Sequence, residues 1–349
     1  MHKLLLTGAG APGGPGIIKA LQESGQFLLV VADADYNAAG RFLNPLFEVI
    51  PKADDPIFIA ELKRICEKYE IEVVLPLVTK ELFSLAKAKC VFATQNIKII
   101  VSNHEELQLA NDKSKLYHHL RKHQITVPDF YVVKTVEDFV AAATKLGYPE
   151  QPFCFKPSVG NGSRGFRIVS DAIDASDLLF NHKPNNTYIG YDQALSILTK
   201  QSFPELLVSE YLPGEEFSVD TIIKEGEPQL ILPRHRTAMR EGISIRGEFV
   251  NHQGIINYCK EILKCLPLHG PVGIQVKQAV DGSYKILEIN PRIQGTSTAA
   301  LGMGINLPQL SVLQEFGPIA LMQPSNILWG TQFIRYYSEV FPPFQPTNS

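Results

Sequence analysis

Short apolar runs alternate with amphipathic segments over the first part of the chain. The apolar runs occupy residues 3–7, 27–33, 72–78 and 97–102, and residues 55–69 carry apolar positions at helical spacing. Short apolar strands that alternate with helices favour a parallel, doubly wound sheet. We therefore predict that the chain begins with a Rossmann-like unit of about 110 residues.

The pattern changes after residue 110. Residues 110–124 predict a helix, for which Asn111 or Asp112 is a suitable N-cap. Residues 205–236 have the pattern of antiparallel strands joined by glycine turns such as "PGEE" and "EGEP". The predicted fold class is therefore α/β followed by α+β.

A hairpin is predicted near the end of this second region. Asp281–Gly282 is a two-residue turn signal between strand-like runs. The register that such a turn sets places Gln275 opposite Glu288 and Gly273 opposite Asn290. Period-two alternation then assigns one face of the hairpin to the core. The predicted core positions are Ile274, Val276, Leu287 and Ile289.

The other face of this hairpin carries oxygen donors. Gln275, Glu288 and Asn290 together offer one carboxylate and two amide oxygens, which are ligands that Mg²⁺ prefers. Arg292 lies one step further along the same face, where a guanidinium suits an anionic group. The alternative is an ordinary solvated face of an antiparallel sheet.

A glycine turn follows the first apolar run, in the sequence "KLLLTGAGAPGGPG". Gly8, Gly10 and Gly13 fit G-x-G-x-x-G, and Asp33 ends the next apolar run about 20 residues later, as in dinucleotide-binding folds. This pattern suggests an NAD-binding loop.

Composition narrows the class of protein. The net charge is −3 and 45% of the residues are hydrophobic, so the bulk charge does not indicate a nucleic-acid or membrane partner. The five cysteines form no C-x-x-C pair, and the N-terminal apolar run is too short for a signal peptide or a membrane span. We expect a cytoplasmic protein with reduced thiols.

Several motifs in order resemble the ATP-grasp superfamily, in particular single-copy proteins similar to the carbamoyl-phosphate synthase large subunit. The motifs are "TGAGAPGGPGIIKAL", "VVLPLVTKEL", "NDKSKLYHHLRKHQITVPDF", "FCFKPSVGNGSRG", "LLVSEYLPGEEFSVD" and "ILEINPRIQGTS". The resemblance implies a Rossmann-like pre-ATP-grasp domain over 1–110 and a two-subdomain ATP-grasp fold. Its small lid subdomain would span 111–205, and its large subdomain with a C-terminal extension would span 206–349.

The resemblance assigns ATP contacts residue by residue. Lys113 in "NDK" and Lys156 in "FKP" match the two lysines that contact the phosphates, and residues 158–165 match the glycine loop that closes over them. The residues of that loop that we assign to ATP are Ser158, Gly160, Gly162, Ser163 and Gly165. The residues that match the adenine and ribose contacts are Glu210, Tyr211, Leu212 and Glu216.

The resemblance also assigns metal, catalytic and substrate residues. Gln275, Glu288 and Asn290 match the Mg²⁺ ligands, with Mn²⁺ as an alternative metal. Many members have a carboxylate where this chain has Gln275, so one or two metal ions are both open. The predicted catalytic residues are Arg292, Lys156 and Arg236, and the predicted substrate residues are Gly10, Ala11, Pro12, Thr79, Glu81 and Arg234.

Two of these substrate assignments also follow from position along the chain. Thr79 and Glu81 come directly after the apolar run 72–78, at a carboxyl end where open α/β sheets bind ligands. Glu81 has an alternative role as an acidic residue in the first turn of a helix. Arg240 and Arg246 lie near Arg234, and a solvated basic loop explains these two equally well.

The implied function is an ATP-dependent ligase. ATP would phosphorylate a substrate carboxylate, and an amine would displace phosphate from the acyl phosphate. The alternatives are phosphorylation of carbamate or bicarbonate, a nucleotide-binding protein without turnover, and an NAD oxidoreductase. The implied partners are a small-molecule carboxylate and amine, with no nucleic acid or membrane, and a homodimer is the default assembly.

Overall fold

The structure is a computed structural model that describes residues 1–160, 164–181, 187–240, 242–319 and 326–342. The chain forms two compact units that do not follow its linear order. The first unit comprises Met1–Leu107, Phe217–Ile274 and Ile289–Ser349, and the second comprises Gln108–Glu216 and Gln275–Glu288. The division into 1–110, 111–205 and 206–349 remains a prediction.

The first unit begins with a five-stranded parallel sheet in the order β3-β2-β1-β4-β5. Its strands are β1 His2–Thr7, β2 Phe27–Asp33, β3 Phe47–Val49, β4 Val73–Pro76 and β5 Lys98–Ile99. The connecting helices are α1 Gly14–Glu23, α2 Ala39–Leu43, α3 Phe58–Tyr69 and α4 Thr79–Ala93, and α5 His104–Asn111 follows. The prediction of a doubly wound sheet is confirmed.

Both faces of this sheet are buried. Leu5 packs into a cluster with Phe58 of α3 and Phe92 of α4, whereas Leu4 packs with Ile17 of α1 on the other side. Because successive side chains point to opposite faces, a strand covered on both sides needs apolar residues at every position. This explains why the run "LLL" is continuous rather than alternating.

The second unit contains a five-stranded sheet in the order β6-β10-β7-β8-β9. Its strands are β6 Phe130–Val133, β7 Phe153–Pro157, β8 Arg167–Val169, β9 Tyr188–Ile189 and β10 Leu206–Glu210. Its helices are α6 Lys113–Lys122, α7 Val136–Lys145, α8 Ala175–Asn181 and α9 Tyr191–Leu198. Phe139, Phe153 and Phe155 pack edge to face in the core of this unit.

A six-stranded sheet has the order β15-β14-β11-β12-β13-β16. Its strands are β11 Glu216–Lys224, β12 Glu227–Arg240, β13 Ile243–Phe249, β14 Gly270–Gln278, β15 Tyr284–Asn290 and β16 Gln332–Ile334. Helix α10 Gln253–Cys265, a 3₁₀ helix Ser297–Met303 and α11 Leu307–Leu313 complete the elements. The strands β11 and β12 pair antiparallel across the predicted turn "EGEP", as expected. The prediction that "PGEE" joins two antiparallel partners is wrong, because β10 and β11 belong to different sheets. Among the described residues, no helix has the length and hydrophobicity of a membrane span.

The predicted two-residue turn between β14 and β15 is wrong. The Ala279 N–H donates to the Ser283 carbonyl at 2.8 Å, and the Gly282 N–H donates to the Ala279 carbonyl at 3.0 Å. The loop therefore has three residues, and Gly282 takes the left-handed conformation, with a φ of 82°, that closes such loops. The Asp-Gly signal located the turn correctly but gave a register shifted by one residue.

A second correction concerns the core face of β15. Ile286 is fully buried and Leu287 is only half-buried, the reverse of the prediction. The hydroxyl of Tyr117 donates to the carbonyls of both Ile286 and Leu287, although successive carbonyls of a regular strand point in opposite directions. Both features are typical of a β-bulge. The opposition of Gln275 and Glu288 remains a prediction.

The glycine turn after β1 is packed against the chain itself. A Cβ on Gly13 would lie 2.4 Å from the Cα of Gly295, and a Cβ on Gly8, whose φ is 75°, would lie 2.5 Å from Val78. The Asp33 carboxylate accepts a hydrogen bond from the Gly10 N–H at 2.7 Å. The glycines and the acid of the fingerprint thus serve local packing, which removes the main support for the NAD hypothesis.

This packing predicts a loss of stability in Gly13→Ala. The added methyl group meets backbone that has no room to move, and overpacking of this kind costs about 1–3 kcal/mol. Thermal and urea unfolding would measure the change. Gly317→Ala is the matched control, because a Cβ there has no atom within 4 Å. Equal stability of the two variants would contradict the packing account.

Candidate active site

Lys113 is held at the first turn of α6 in the second unit. Asp112 caps this helix by accepting the N–H groups of Ser114 and Lys115, both at 3.1 Å. The Lys113 ammonium group donates to the carbonyl of Gly160 at 2.8 Å and lies 3.4 Å from a carboxylate oxygen of Glu288. Only 8% of this side chain is exposed, so its charge lies in a sheltered position.

Lys156 brings a second positive charge to the same unit. It lies on β7, and its ammonium group donates to the carbonyl of Leu287 at 3.0 Å and lies 5.9 Å from the ring centre of Tyr117. Burial and the positive charge of Lys113 lower the pKa of Lys156 to about 8, and Glu288 opposes this shift. Two sheltered ammonium groups with one carboxylate between them are suited to bind a polyanion.

The residues after β7 begin the predicted phosphate loop. The hydroxyls of Ser158 and Ser114 lie 2.5 Å apart, and the Ser158 carbonyl accepts the N–H of Lys113 at 2.9 Å. Gly165 has a φ of 78°, and a Cβ there would lie 2.7 Å from Pro157. Gly160 contributes its carbonyl to Lys113, as described above. The predicted ATP residues Gly162 and Ser163 lie outside the described residues.

The predicted adenine residues follow β10. The Glu210 carboxylate accepts the Asp129 N–H at 2.8 Å and pairs with the Lys285 ammonium group at 2.5 Å. Lys277 lies over the ring of Tyr211, 5.5 Å from its centre. Leu212 is buried, and Glu216 begins β11.

Sequence reasoning missed three residues of this group, namely Lys277, Lys285 and Tyr117. Lys277 and Lys285 stand on the hairpin that carries Gln275 and Glu288, so alternation along β14 and β15 would have drawn attention to them. Tyr117 lies one helical turn after Lys113, on the same face of α6.

The oxygen donors of the hairpin fit a hard metal ion. Glu288 has an exposed side-chain fraction of 26%, and the ammonium group of Lys113 lies 3.4 Å from its carboxylate. Gln275 adds an amide oxygen in the same unit, and Asn290 stands two positions after Glu288 on β15. A single carboxylate with amide donors is typical of Mg²⁺ bound together with substrate phosphates.

In the first unit, Arg292 and Thr79 meet although they are far apart in sequence. The Arg292 Nε–H donates to the Thr79 hydroxyl at 3.0 Å, and its Nη1 donates to the Ile293 carbonyl at 3.0 Å. Thr79 begins α4 at the carboxyl end of β4, as expected for a ligand-binding edge. The structure thus joins two residues that we assigned independently to substrate and catalysis.

Glu81 lies in the first turn of the same helix. It is 7% exposed, and the Thr7 hydroxyl donates to its carboxylate at 2.5 Å. The pKa of Glu81 is raised to about 7. Burial is the largest cause and the charge of Asp33 adds to it, whereas the hydrogen bond from Thr7 opposes the shift. A carboxyl group with this pKa is able to hold or release a proton near neutral pH.

The two predicted arginines of β12 have different surroundings. Arg234 is fully buried and donates through Nε to Asp220 at 3.2 Å. Arg236 donates through Nε to the Ser244 hydroxyl at 3.0 Å and through Nη2 to the Gly242 carbonyl at 2.5 Å. The guanidinium of Arg236 therefore holds the connection to β13, and a catalytic role for it remains a prediction.

The predicted substrate turn Gly10–Pro12 contacts a residue near the C-terminus that sequence reasoning missed. The Pro12 carbonyl accepts a hydrogen bond from Nη2 of Arg335 at 3.3 Å. Gly10 and Pro12 are exposed and Ala11 is half-buried. No motif or period surrounds Arg335 in the sequence, so only the tertiary structure identifies it.

Comparisons with known proteins agree with this fold. The family described as "ATP-grasp in the biosynthetic pathway with Ter operon" matches residues 202–329, and "PylC-like, N-terminal domain" matches residues 4–100. An ADP complex of purK, an N5-carboxyaminoimidazole ribonucleotide synthetase, has a TM-score of 0.67 at 16% identity over 89% of this chain and 76% of that chain. Biotin carboxylase from Campylobacter jejuni has a TM-score of 0.68 at 16% identity over 95% of this chain and 74% of that chain. The L-amino acid ligase from Bacillus licheniformis has a TM-score of 0.64 at 16% identity over 91% of this chain and 75% of that chain.

The chain therefore has the fold of these enzymes, with an ATP-grasp match over residues 202–329 and a PylC-like match over residues 4–100. It is similar to carbamoyl phosphate synthase large chains, with 26% identity over 212 residues to that of Clostridium acetobutylicum and 23% over 283 residues to that of Pseudothermotoga lettingae. These matches cover 57% and 75% of this chain. The chain spans only 18% and 24% of the length of these relatives.

The pKa of Lys156 leads to a direct prediction. Its ammonium group loses a proton near pH 8, so its attraction for an anion falls as the pH rises through 8, whereas exposed lysines titrate near 10.4 or so. Reductive methylation with ¹³C-formaldehyde and NMR at increasing pH would follow each lysine in the ligand-free protein. Lys156→Arg assigns the resonance by its loss. If the Lys156 resonance titrated at the same pH as those of the surface lysines, the result would contradict the burial of Lys156.

Proposed function

We propose that the protein is an ATP-dependent ligase that phosphorylates a carboxylate and transfers the acyl group to an amine. The observation that carries this proposal is the placement of two sheltered lysines near Glu288: Lys113 contacts Gly160 and Glu288, and Lys156 contacts the Leu287 carbonyl. Phosphoryl transfer needs little covalent chemistry from the protein, because position and charge neutralisation provide most of the catalysis. Two fixed lysines and a carboxylate meet that requirement.

ATP binding follows from residues of the second unit. Lys113, Lys156 and the glycine loop would bind the phosphates, including Gly162 and Ser163. Glu210, Tyr211 and Leu212 would contact adenine, and Glu216 would contact the ribose. Residue spacing and the resemblance support these roles, and the solved structure of purK with ADP is a relative of the same fold.

Gln275, Glu288 and Asn290 would hold Mg²⁺, or Mn²⁺ in its place. A bound Mg²⁺ ion neutralises charge on the phosphates and helps to orient them. Lys113 already contributes a positive charge beside Glu288, at 3.4 Å. A site with a single carboxylate binds one metal ion more readily than two, because each further ion needs negative charge to offset its own.

The carboxylate substrate would bind to the first unit. Arg292 presents a guanidinium at the carboxyl edge of the parallel sheet, where Thr79 orients it. Glu81 would contact substrate, and its pKa near 7 would allow it to accept a proton from an amine. Gly10, Ala11, Pro12 and Arg234 would complete the contacts to substrate, and Arg236 would support the transfer from β12.

A second candidate is phosphorylation of carbamate or bicarbonate. The curated relatives are carbamoyl phosphate synthase large chains, and this observation favours it. Both candidates begin with attack of a carboxylate oxygen on ATP. They differ in the substrate that is phosphorylated and in whether an amine then displaces phosphate. Small-molecule partners are expected in either case, and a homodimer is the default assembly. The five cysteines are free thiols, and a reducing cytoplasm remains the expected location.

Release of ADP with Mg²⁺-ATP would test the function. A coupled assay would scan carboxylates and amines singly and in pairs, with bicarbonate and ammonia among them. Release that requires one carboxylate–amine pair would identify a ligase, whereas release with bicarbonate alone would identify the second candidate. Absence of ADP release with all pairs, when ATP binding is measurable, would contradict both.

Glu288→Ala should lower the rate of ADP release by at least about a hundredfold. The variant should bind Mg²⁺-ATP more weakly, but it should bind metal-free ATP at least as well as the wild type. The reason is that Lys113 loses its negative partner. Isothermal titration with and without EDTA separates the two effects. Glu227→Ala is the control, because Glu227 is exposed at the start of β12. Equal weakening with and without metal would contradict a metal-binding role.

A further inference from the structure

A fully buried cation in the first unit lacks a complete set of partners. Arg234 is 0% exposed, and its Nη1 has no hydrogen-bond acceptor among the described residues. Its Nε donates to one oxygen of Asp220 at 3.2 Å, and the other oxygen of Asp220 accepts the Ser297 hydroxyl at 2.6 Å. An unsatisfied buried donor on a charged group is costly, so such a group calls for a ligand or water.

Arg335 places a second guanidinium in the same neighbourhood. It follows β16, and its pKa is lowered by burial and by the positive charge of Arg234. Its Nη1 donates to the Thr296 hydroxyl at 3.4 Å, and its Nη2 donates to the Pro12 carbonyl at 3.3 Å. Both acceptors are neutral, so neither offsets the charge of Arg335.

Positive charge therefore exceeds negative charge at this place. Within the described part of the chain, Asp220 is the acid that pairs with Arg234, and no acid pairs with Arg335. The two guanidinium groups are thus accompanied by one carboxylate, which pairs with Arg234 and whose oxygens are both already engaged. Like charges in a sheltered position repel each other, and a bound anion would relieve that repulsion.

The cluster of Arg234 and Arg335 borders the exposed glycine turn after β1. Arg335 is half-buried and borders the exposed Pro12, so it is the side of the cluster that a ligand reaches first. Pro12 belongs to the glycine turn that packs on Gly295, and Thr296 follows in the same loop as Arg292. The cluster is distinct from Arg292, whose guanidinium is bound to Thr79 and to the Ile293 carbonyl.

We propose that Arg234 and Arg335 form an anion subsite that binds a second acidic group of the substrate. This inference rests on the proposed ligase function and names its substrate class: a carboxylic acid that carries a further carboxylate or phosphate. Arg292 would bind the reacting carboxylate, and the subsite would bind the other group. Guanidinium groups suit both carboxylate and phosphate because their donors match two oxygens at once.

Binding of small anions tests the subsite without turnover. Succinate, propionate and inorganic phosphate would be titrated calorimetrically into the nucleotide-free protein at low salt. Succinate should bind more tightly than propionate, and Arg335→Gln should weaken succinate binding by about tenfold or more. Arg335→Lys keeps the charge without the fork and should give an intermediate affinity. Tight binding of phosphate in place of succinate would assign the second group as a phosphate.

Three further variants identify where the probe binds. Arg64→Gln makes the same chemical change at an exposed position of α3 and should leave binding unaltered. Lys156→Met removes a charge of the proposed ATP site, and it should also leave succinate binding unaltered. Arg234→Lys retains a charge beside Asp220 and should weaken binding, with thermal unfolding as the check that it folds.

Each outcome decides the proposal. Loss of binding in Arg335→Gln, with Arg64→Gln and Lys156→Met unaltered, supports it. Equal affinity of Arg335→Gln and the wild type overturns it, and so does loss in Lys156→Met alone or absence of binding by every probe in the wild type. ATP affinity and ADP release are measured separately, so a failed ligase hypothesis and a failed subsite give different results.

Discussion

Burial of the ammonium groups of Lys113 and Lys156 is the constraint on which the rest of the candidate site depends. Removing a charge from water is costly unless polar partners replace its hydration. Here the carbonyls of Gly160 and Leu287 and the carboxylate of Glu288 provide that replacement. The pKa of Lys156, near 8, shows that the compensation is incomplete, so a polyanion that restores the missing negative charge should bind well.

The irregularities of the second unit follow from this requirement. Lys156 needs an acceptor from an edge strand, and the bulge of β15 presents the carbonyls of Ile286 and Leu287 on one side, where Tyr117 and Lys156 reach them. A regular strand would direct one of these two carbonyls away. The Leu287 carbonyl therefore links a backbone feature of β15 to the charge balance of the site.

Much of this arrangement was predictable from the sequence. Alternating apolar runs predicted the doubly wound sheet, and the order of short motifs predicted the ATP-grasp fold. The register of the hairpin was not predictable, because Asp-Gly serves both two-residue and three-residue loops and a bulge leaves no residue signature. Arg335 was also inaccessible to sequence reasoning, since its importance comes from contacts with Pro12 and Thr296, which are distant in the chain. Pairing that depends on tertiary structure has no local pattern.

The glycine turn shows why a motif needs its surroundings before it indicates a function. A fingerprint glycine is required wherever another backbone comes close, and a pyrophosphate is only one of the groups that approach so closely. At Gly13 the approaching group is Gly295, in the loop that also carries Arg292 and Thr296. The turn therefore fixes the position of a loop rich in substrate-binding candidates, and its exposed residues Gly10 and Pro12 face solvent beside Arg335. The sequence that suggested a nucleotide loop thus has a packing role, because its glycines allow the close approach of Gly295.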